Sequence, residues 1–321
     1  MKMNRKLFIA LATLLLFGML AGCKKKEDPA SAELKAQMQE MEQKQEAATT
    51  ATTYTEAIPD NYTETTTKDG FKMTGTVLTG YSGTNTNITI PDSVTSIGDR
   101  AFENCTSLTS VIIPNSITSI GYGAFENCTS LASVTIPNSV TSIEMWAFHG
   151  CTSLASITVD SGNTAYAIEG GIVYNKAKTE IVVVPQGLTG NVTIPNGVTM
   201  IGGFSGGGVF SNCINLTNVT IPNSVTSIRE RAFSDCTSLA SVTIPNSVQE
   251  IWAEAFGGCT SLTSVTFQGT ITANNLVSSG VDYVLPPSPF YGDLKEKYLA
   301  GGIGTYTTTA PVNDDSKWTK Q

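Results

Sequence analysis

His149 stands two residues before Cys151, a juxtaposition that raises cysteine-nucleophile chemistry, in which an imidazole takes the thiol proton and leaves a reactive thiolate. That chemistry needs an accessible thiol in an electropositive setting. Cys151 instead occupies the same slot as Cys105, Cys128, Cys213, Cys236 and Cys259, each three residues after a Phe and three before a Leu that point inward, so an inert core thiol is the expectation. With a single histidine in the chain, multi-histidine metal sites cannot be built and any triad would turn on His149 alone. Carboxylates between Pro91 and Phe267 are scattered without motif spacing, which leaves acid–base hydrolysis no visible pair. Gly202 to Gly208 invites a phosphate-loop reading, yet no Gly-Lys-Ser/Thr follows, and a glycine bulge is expected. The sequence thus points to no catalytic residue, no metal ligand and no cofactor.

Charge narrows the partners. Only 14% of residues are charged and the net charge is −8, and cleavage after residue 22 would remove Lys2, Arg5 and Lys6 as well. Nucleic acid is excluded, because backbone binding needs a clustered excess of Lys and Arg. Those three cations precede the apolar run Leu7 to Leu20, which is short for a bilayer span and reads as a secretory signal. The run ends in Leu20-Ala21-Gly22-Cys23, which resembles the lipobox of bacterial lipoproteins and implies a diacylglycerol on Cys23. Acyl chains contribute about 0.8 kcal/mol per buried methylene, so such a group would hold the chain on a membrane. Residues 23–69 then turn Lys/Glu/Gln-rich and afterwards Thr-rich, the composition of a solvated tether. Leu34, Met38, Met41 and Gln45 keep a heptad-like spacing over two turns, enough for a short helix and too little for a coiled coil.

The elements that would position any binding residue come from repetition. Six segments align on Pro91, Pro114, Pro137, Pro195, Pro222 and Pro245, and the cysteines keep an interval of 23 residues on either side of a central break. In one segment the apolar positions are Ile117, Ile120, Ala124, Phe125, Cys128, Leu131, Val134 and Ile136. No segment can bury that set alone; stacked neighbours can. Leu131 to Pro137 reads as a strand with Val134 and Ile136 inward, ended by a proline that offers no donor to the ladder. Ile143 to Phe148 suits a helical or irregular return. The expected fold is a β-rich α/β solenoid over residues 70–268 with one parallel sheet face, interrupted by a hairpin at about 160–190 (Ile172-Val173-Tyr174 against Ile181 to Val184). Residues 269–321, with a short helix from Asp293 to Ala300, are expected to cap the last coil. Buried free thiols, rather than disulfides, are expected at the repeated cysteines, since parallel Cβ vectors make bridging awkward.

Two surfaces could bind. Outward strand positions are Ser110, Ile112, Ser133, Thr135, Ser156, Thr158, Asn218, Thr220, Ser241, Thr243, Ser264 and Thr266, a hydroxyl-rich and nearly uncharged face. The residues that vary before each Ala-Phe include Arg100, Tyr122, Trp146, Arg229, Arg231 and Trp252, types enriched at binding hot spots.

The pattern Leu-x-x-Val-x-Ile-Pro-x-x-Val-x-x-Ile-x-x-x-Ala-Phe-x-x-Cys resembles the BspA-type, or treponemal, class of leucine-rich repeat over about residues 70–290. That resemblance implies a non-enzymatic envelope protein, lipid-anchored at the outer membrane or cell surface. It also implies protein partners, host extracellular matrix or another bacterium. A structural envelope component, acting by self-assembly or by binding glycan or cell wall, is the other class open.

Overall fold

A computed structural model describes residues 64–202, 208–272, 275–277 and 289–321. Cys23, the signal segment, residues 23–63 of the tether, and most of the Gly202–Gly208 bulge lie outside the described residues. The last tether residues are described, and Thr65–Thr66 pairs antiparallel with Phe71–Thr74. What is described is a β-solenoid of about 8 turns with little helix.

One coil shows how the sequence makes the turn. The strand Ser133–Ile136 alternates exposed and buried residues, with Val134 and Ile136 inward. Pro137 ends it, and its carbonyl accepts the Val140 amide at 3.3 Å to close a β-turn through Asn138 and Ser139. The return segment is not featureless. Ser142–Ile143 forms a second, two-residue strand, followed by tight turns that carry Ala147, Phe148 and Cys151 into the core. Backbone amides on these turns alternate, some bonding within their own coil and some to the next: Asn104 N–H meets Glu126 O at 2.8 Å and Asn127 N–H meets His149 O at 2.8 Å. This needs left-handed backbone twice per coil, met at one position by Asn104, Asn127 and Gly150, residue types that tolerate it.

Stacking gives two parallel ladders in each half. In the first half Asn87–Thr89, Ser110–Ile112, Ser133–Ile136 and Ser156–Val159 pair in order. On the return side Val77–Tyr81, Ser96–Ile97, Ser119–Ile120 and Ser142–Ile143 do the same. The second half repeats the scheme with Gly190–Thr193, Leu216–Thr220, Ser241–Ile244 and Ser264–Phe267. Its return ladder is Met200–Ile201, Ser227–Ile228, Glu250–Trp252 and Leu276–Val277. The Phe rings follow the stack, with Phe102, Phe125 and Phe148 at 4.9 and 5.2 Å centroid spacing, nearly parallel.

The insertion is a three-stranded antiparallel sheet: the expected hairpin, Ile172–Asn175 with Ile181–Val183, preceded by Tyr166–Glu169. Asn163 starts it. Buried to 1% exposure, its amide nitrogen donates to Pro137 O (2.8 Å) and Val140 O (3.0 Å), and its oxygen accepts from the Ala165 and Tyr166 amides. The side chain thereby stands in for the backbone of a coil that is not there. Val173 opposes Val183 and Tyr174 opposes Ile181, so Val182 is an extra residue, and this bulge turns Ile181 and Val183 to opposite faces. The sheet is accordingly buried on both sides. Val173 and Val183 join the core of the first half, whereas Ile172, Tyr174 and Ile181 join that of the second.

At the last coil the pairing turns antiparallel. Ser264–Phe267 pairs with Gly304–Thr307, and Phe290 stacks on Phe256 at 4.9 Å while Pro289 O accepts the Phe256 amide. Pro289-Phe290 thus takes the place of the next Ala-Phe. The helix Leu294–Gly301 buries Leu294 and Tyr298 and closes at Gly302, φ 71°.

Candidate functional site

Both surfaces singled out in the sequence are present, on different sides of the core. On the strand face Ser133, Thr135, Ser156, Thr158, Asn218, Thr220, Ser241 and Thr243 are exposed, and Ile112 presents 59% of its surface. Ser110, Ser264 and Thr266 are half-buried, the last two because Gly304–Thr307 lies alongside. Two of these hydroxyls, Thr135 and Thr158, meet at 2.9 Å, and Thr266 meets Thr305 at 2.9 Å. The face therefore offers a row of exposed hydroxyls and one apolar step at Ile112.

The variable residues divide into two rows. In the second half the Arg229 guanidinium lies 4.4 Å from the Trp252 ring centroid and 3.8 Å from Glu250, which also accepts the Trp252 indole N–H at 3.2 Å. Arg231 holds Glu254 at 2.6 Å. These side chains are tied to each other. The first-half row is a line of stacked groups: Arg100 lies 5.6 Å from the Tyr122 centroid, Tyr122 5.5 Å from Trp146, and Trp146 5.6 Å from His149. Arg100 and Trp146 sit at φ 56° and 60°, flanking Gly123 at 57°. Glycine suits that position, and a bulky residue there is strained by roughly 1–2 kcal/mol.

A third feature was not visible in the sequence. Where the insertion enters, both ladders break, and on the return side a cavity of about 870 Å³ opens between Ile143 to His149 on one side and Thr199, Met200, Gly202, Gly208 and Val209 on the other, with Glu180 to Val184 along it. Its two strand edges differ. At the first, the Ile143 amide donates to the Tyr166 hydroxyl at 2.8 Å, and that hydroxyl donates to Thr141 O at 3.3 Å. Tyr166 thus caps the edge, and burial together with Glu144 and Glu180 raises its pKa. At the second edge, no described residue accepts the amides of Thr199 and Gly202. Their counterparts in an intact coil, Thr118 and Gly121, bond the preceding coil at 2.9 and 2.8 Å. Two buried polar atoms on the cavity wall also lack partners, the Trp146 indole N–H and the Gln186 side-chain oxygen. The break in repeat phase between Val159 and Ile194 was the only sequence signal that could have pointed here.

The six described cysteines are free thiols, all buried except the half-buried Cys105. Cys128, Cys151, Cys236 and Cys259 each donate at 3.1 Å to the Phe carbonyl one coil earlier. Burial pushes Cys105 up to about 11 and Cys213 up to about 12, away from nucleophilic service at neutral pH. His149 stacks on Trp146. Among the described residues no cluster of His, Cys, Asp and Glu could hold a metal, and no helix is long and apolar enough to cross a membrane.

Stacked parallel coils, a polar sheet face and thiols spent on packing define a solenoid repeat protein. The signature of the BspA type leucine-rich repeat region matches in 6 copies over residues 80–190 and 187–276, and the chain belongs to that family. Similar solved structures include a leucine-rich repeat protein of Eubacterium ventriosum, at 24% identity over 62% of this chain and 68% of that one, TM-score 0.44. The pneumococcal vaccine antigen PcpA is 23% identical over 60% of this chain and 53% of its own, TM-score 0.48. A leucine-rich cell surface protein of Faecalibacterium prausnitzii is 34% identical over 67% of this chain and 56% of its own, TM-score 0.41. The chain thus spans little more than half of the latter two. No curated protein matches it.

Proposed function

We propose that this chain is a non-enzymatic lipoprotein, anchored through Cys23, that holds protein partners at the bacterial surface, in the manner of an adhesin. The observation that carries the reading is the Arg100–Tyr122–Trp146–His149 line. Its members stack through aromatic and cation–π contacts, and two of them occupy left-handed backbone that glycine fills in the coil between. Bulky side chains kept at a backbone cost support selection for what they present. Arg and Trp are also the residues that dominate protein interfaces.

The test is capture of matrix proteins. The purified chain in detergent is passed over immobilised extracellular-matrix proteins, beside the R100A/Y122A variant and a T158K/T220K variant of the strand face. Saturable binding that falls about tenfold in R100A/Y122A and holds in T158K/T220K is expected. Binding that follows the strand-face variant instead moves the site to the sheet. No capture, together with pelleting on purified cell wall, overturns adhesion in favour of a structural envelope role.

A further inference from the structure

The cavity at the broken return ladder is built for something the rest of the surface is not. Its far wall is the bare edge of Thr199 to Gly202, with two amides unclaimed among the described residues. A strand edge of that kind is a template for another chain, because an incoming backbone supplies the missing carbonyls. Natural proteins cover or blunt such edges, and this protein does so at the opposite wall, where Tyr166 occupies the place of the missing strand. Leaving one edge bare while capping the other is a difference with a consequence for binding.

The wall chemistry selects the occupant. Gln186 is 5% exposed; its nitrogen donates to Ser211 O at 2.9 Å, and its oxygen has no partner. The Trp146 indole N–H is likewise buried and unsatisfied. Unpaired buried groups are costly, and an amide-bearing ligand removes that cost, since it offers a donor to Gln186 and an acceptor to Trp146. The charged residues lining the cavity, His149 aside, are Glu144 and Glu180, with no Lys or Arg among its lining residues. Each carboxylate is close enough to raise the Tyr166 pKa. A cation is therefore favoured and an anion repelled. The volume, about 870 Å³, lies in the range of ~300–1,000 Å³ typical of small-ligand sites. It admits a few residues of extended chain, not a folded domain.

We propose that this slot takes an extended, basic peptide segment, which adds as a parallel strand to the Thr199–Gly202 edge and sets a Lys or Arg side chain against Glu144 and Glu180. Backbone pairing supplies the affinity and the carboxylates supply the preference for a cation. The inference deepens the protein-binding reading and rests on it only for the class of ligand, a polypeptide.

The experiment is fluorescence anisotropy with the purified chain and four labelled hexapeptides. They are Thr-Val-Lys-Val-Thr-Val, its Glu-for-Lys counterpart, an alternately N-methylated copy of the basic peptide, and a Pro-interrupted copy. The basic peptide should bind saturably. Affinity should drop about tenfold or more for the other three, and for the basic peptide on the E144Q/E180Q variant. These glutamates are at the surface, so the variant should fold as the parent does, and an unchanged melting curve checks that. Equal affinity for all four peptides, no binding of any, or binding indifferent to E144Q/E180Q overturns the proposal. T158K/T220K, on the strand face away from the slot, should bind the basic peptide normally. Peptide binding is read in solution without any matrix protein, so loss of matrix-protein capture in R100A/Y122A tells against neither the slot nor its ligand.

Discussion

Asn163 and Tyr166 solve one problem between them. A parallel ladder that stops leaves amides and carbonyls of its last strand without partners, and each buried orphan costs about 1–3 kcal/mol. Asn163 answers two carbonyls and two amides with a single carboxamide, while Tyr166 answers the Ile143 amide and Thr141 carbonyl with one hydroxyl. N163A should therefore lose several kcal/mol in denaturant unfolding, and Y166F about 1–3 kcal/mol. N163D is the more discriminating substitution. Its carboxylate still accepts from Ala165 and Tyr166 but cannot donate to Pro137 and Val140, so the charged form is disfavoured in the folded chain and its pKa is raised. The variant should be weak at neutral pH and recover in part as acid protonates it, because the acid O–H donates to one of the two carbonyls, with that recovery complete below the ordinary carboxylate range. An N163D midpoint that does not rise on acidification relative to the parent would mean the two carbonyl bonds contribute nothing.

At the scale of elements, the thiol ladder is a second column of the core beside the phenylalanines, and it has a pH signature. Thiols in the unfolded chain titrate near 9.0, whereas Cys105 and Cys213 are pushed by burial to about 11 and about 12. A raised folded pKa means the stabilisation is whole below about 9 and drains as pH climbs through 11 to 12. The denaturation midpoint should fall over that window, and C213A should flatten its share of the slope without altering the neutral-pH plateau in kind. Alkylation of Cys128, Cys151, Cys213, Cys236 and Cys259 only after unfolding, with no mass change on reduction, is the companion result. How far these elements could be read from the residues differs by ladder. The strand at Leu131 to Pro137 was legible because alternating β-branched residues and a terminal proline agree on one answer. The return strand Ser119–Ile120 was not, because two residues between turns carry no period. The strand Tyr166–Glu169 was missed for a related reason: its alternation is weak, and its pairing depends on Asn163, whose burial no local pattern announces. The candidate slot was illegible for a deeper reason, since it consists of pairings that do not form, and a missing hydrogen bond leaves no motif in the chain.

Across the described molecule the insertion changes how stability is shared. In an unbroken solenoid each coil leans on its neighbours and cooperativity runs end to end. Here the ladders on the two sides of the insertion do not pair, and the buried side chains fall into two clusters, with residues of the three-stranded sheet in both. Coupling between the halves thus passes through Val173 and Val183 on one face of the sheet, Ile172, Tyr174 and Ile181 on the other, and the Gly187 amide bonded to Leu154 O at 2.8 Å just beyond it. A cavity in one half should consequently loosen that half first. Leu131 and Leu239 are equivalent and fully buried, one in each cluster, and Leu→Ala at either should cost about 2–5 kcal/mol locally. Hydrogen exchange read by mass spectrometry should show L131A speeding exchange over residues 71–159 while 210–267 keep their protection, with L239A giving the mirror image. Peptides from 166–183 should respond in part to both. Uniform acceleration along the whole chain in either variant would mean that the sheet transmits packing as fully as an ordinary coil and that the halves do not unfold separately. The slot would then be walled by one rigid body, and a bound strand would have no leverage on how the two halves open.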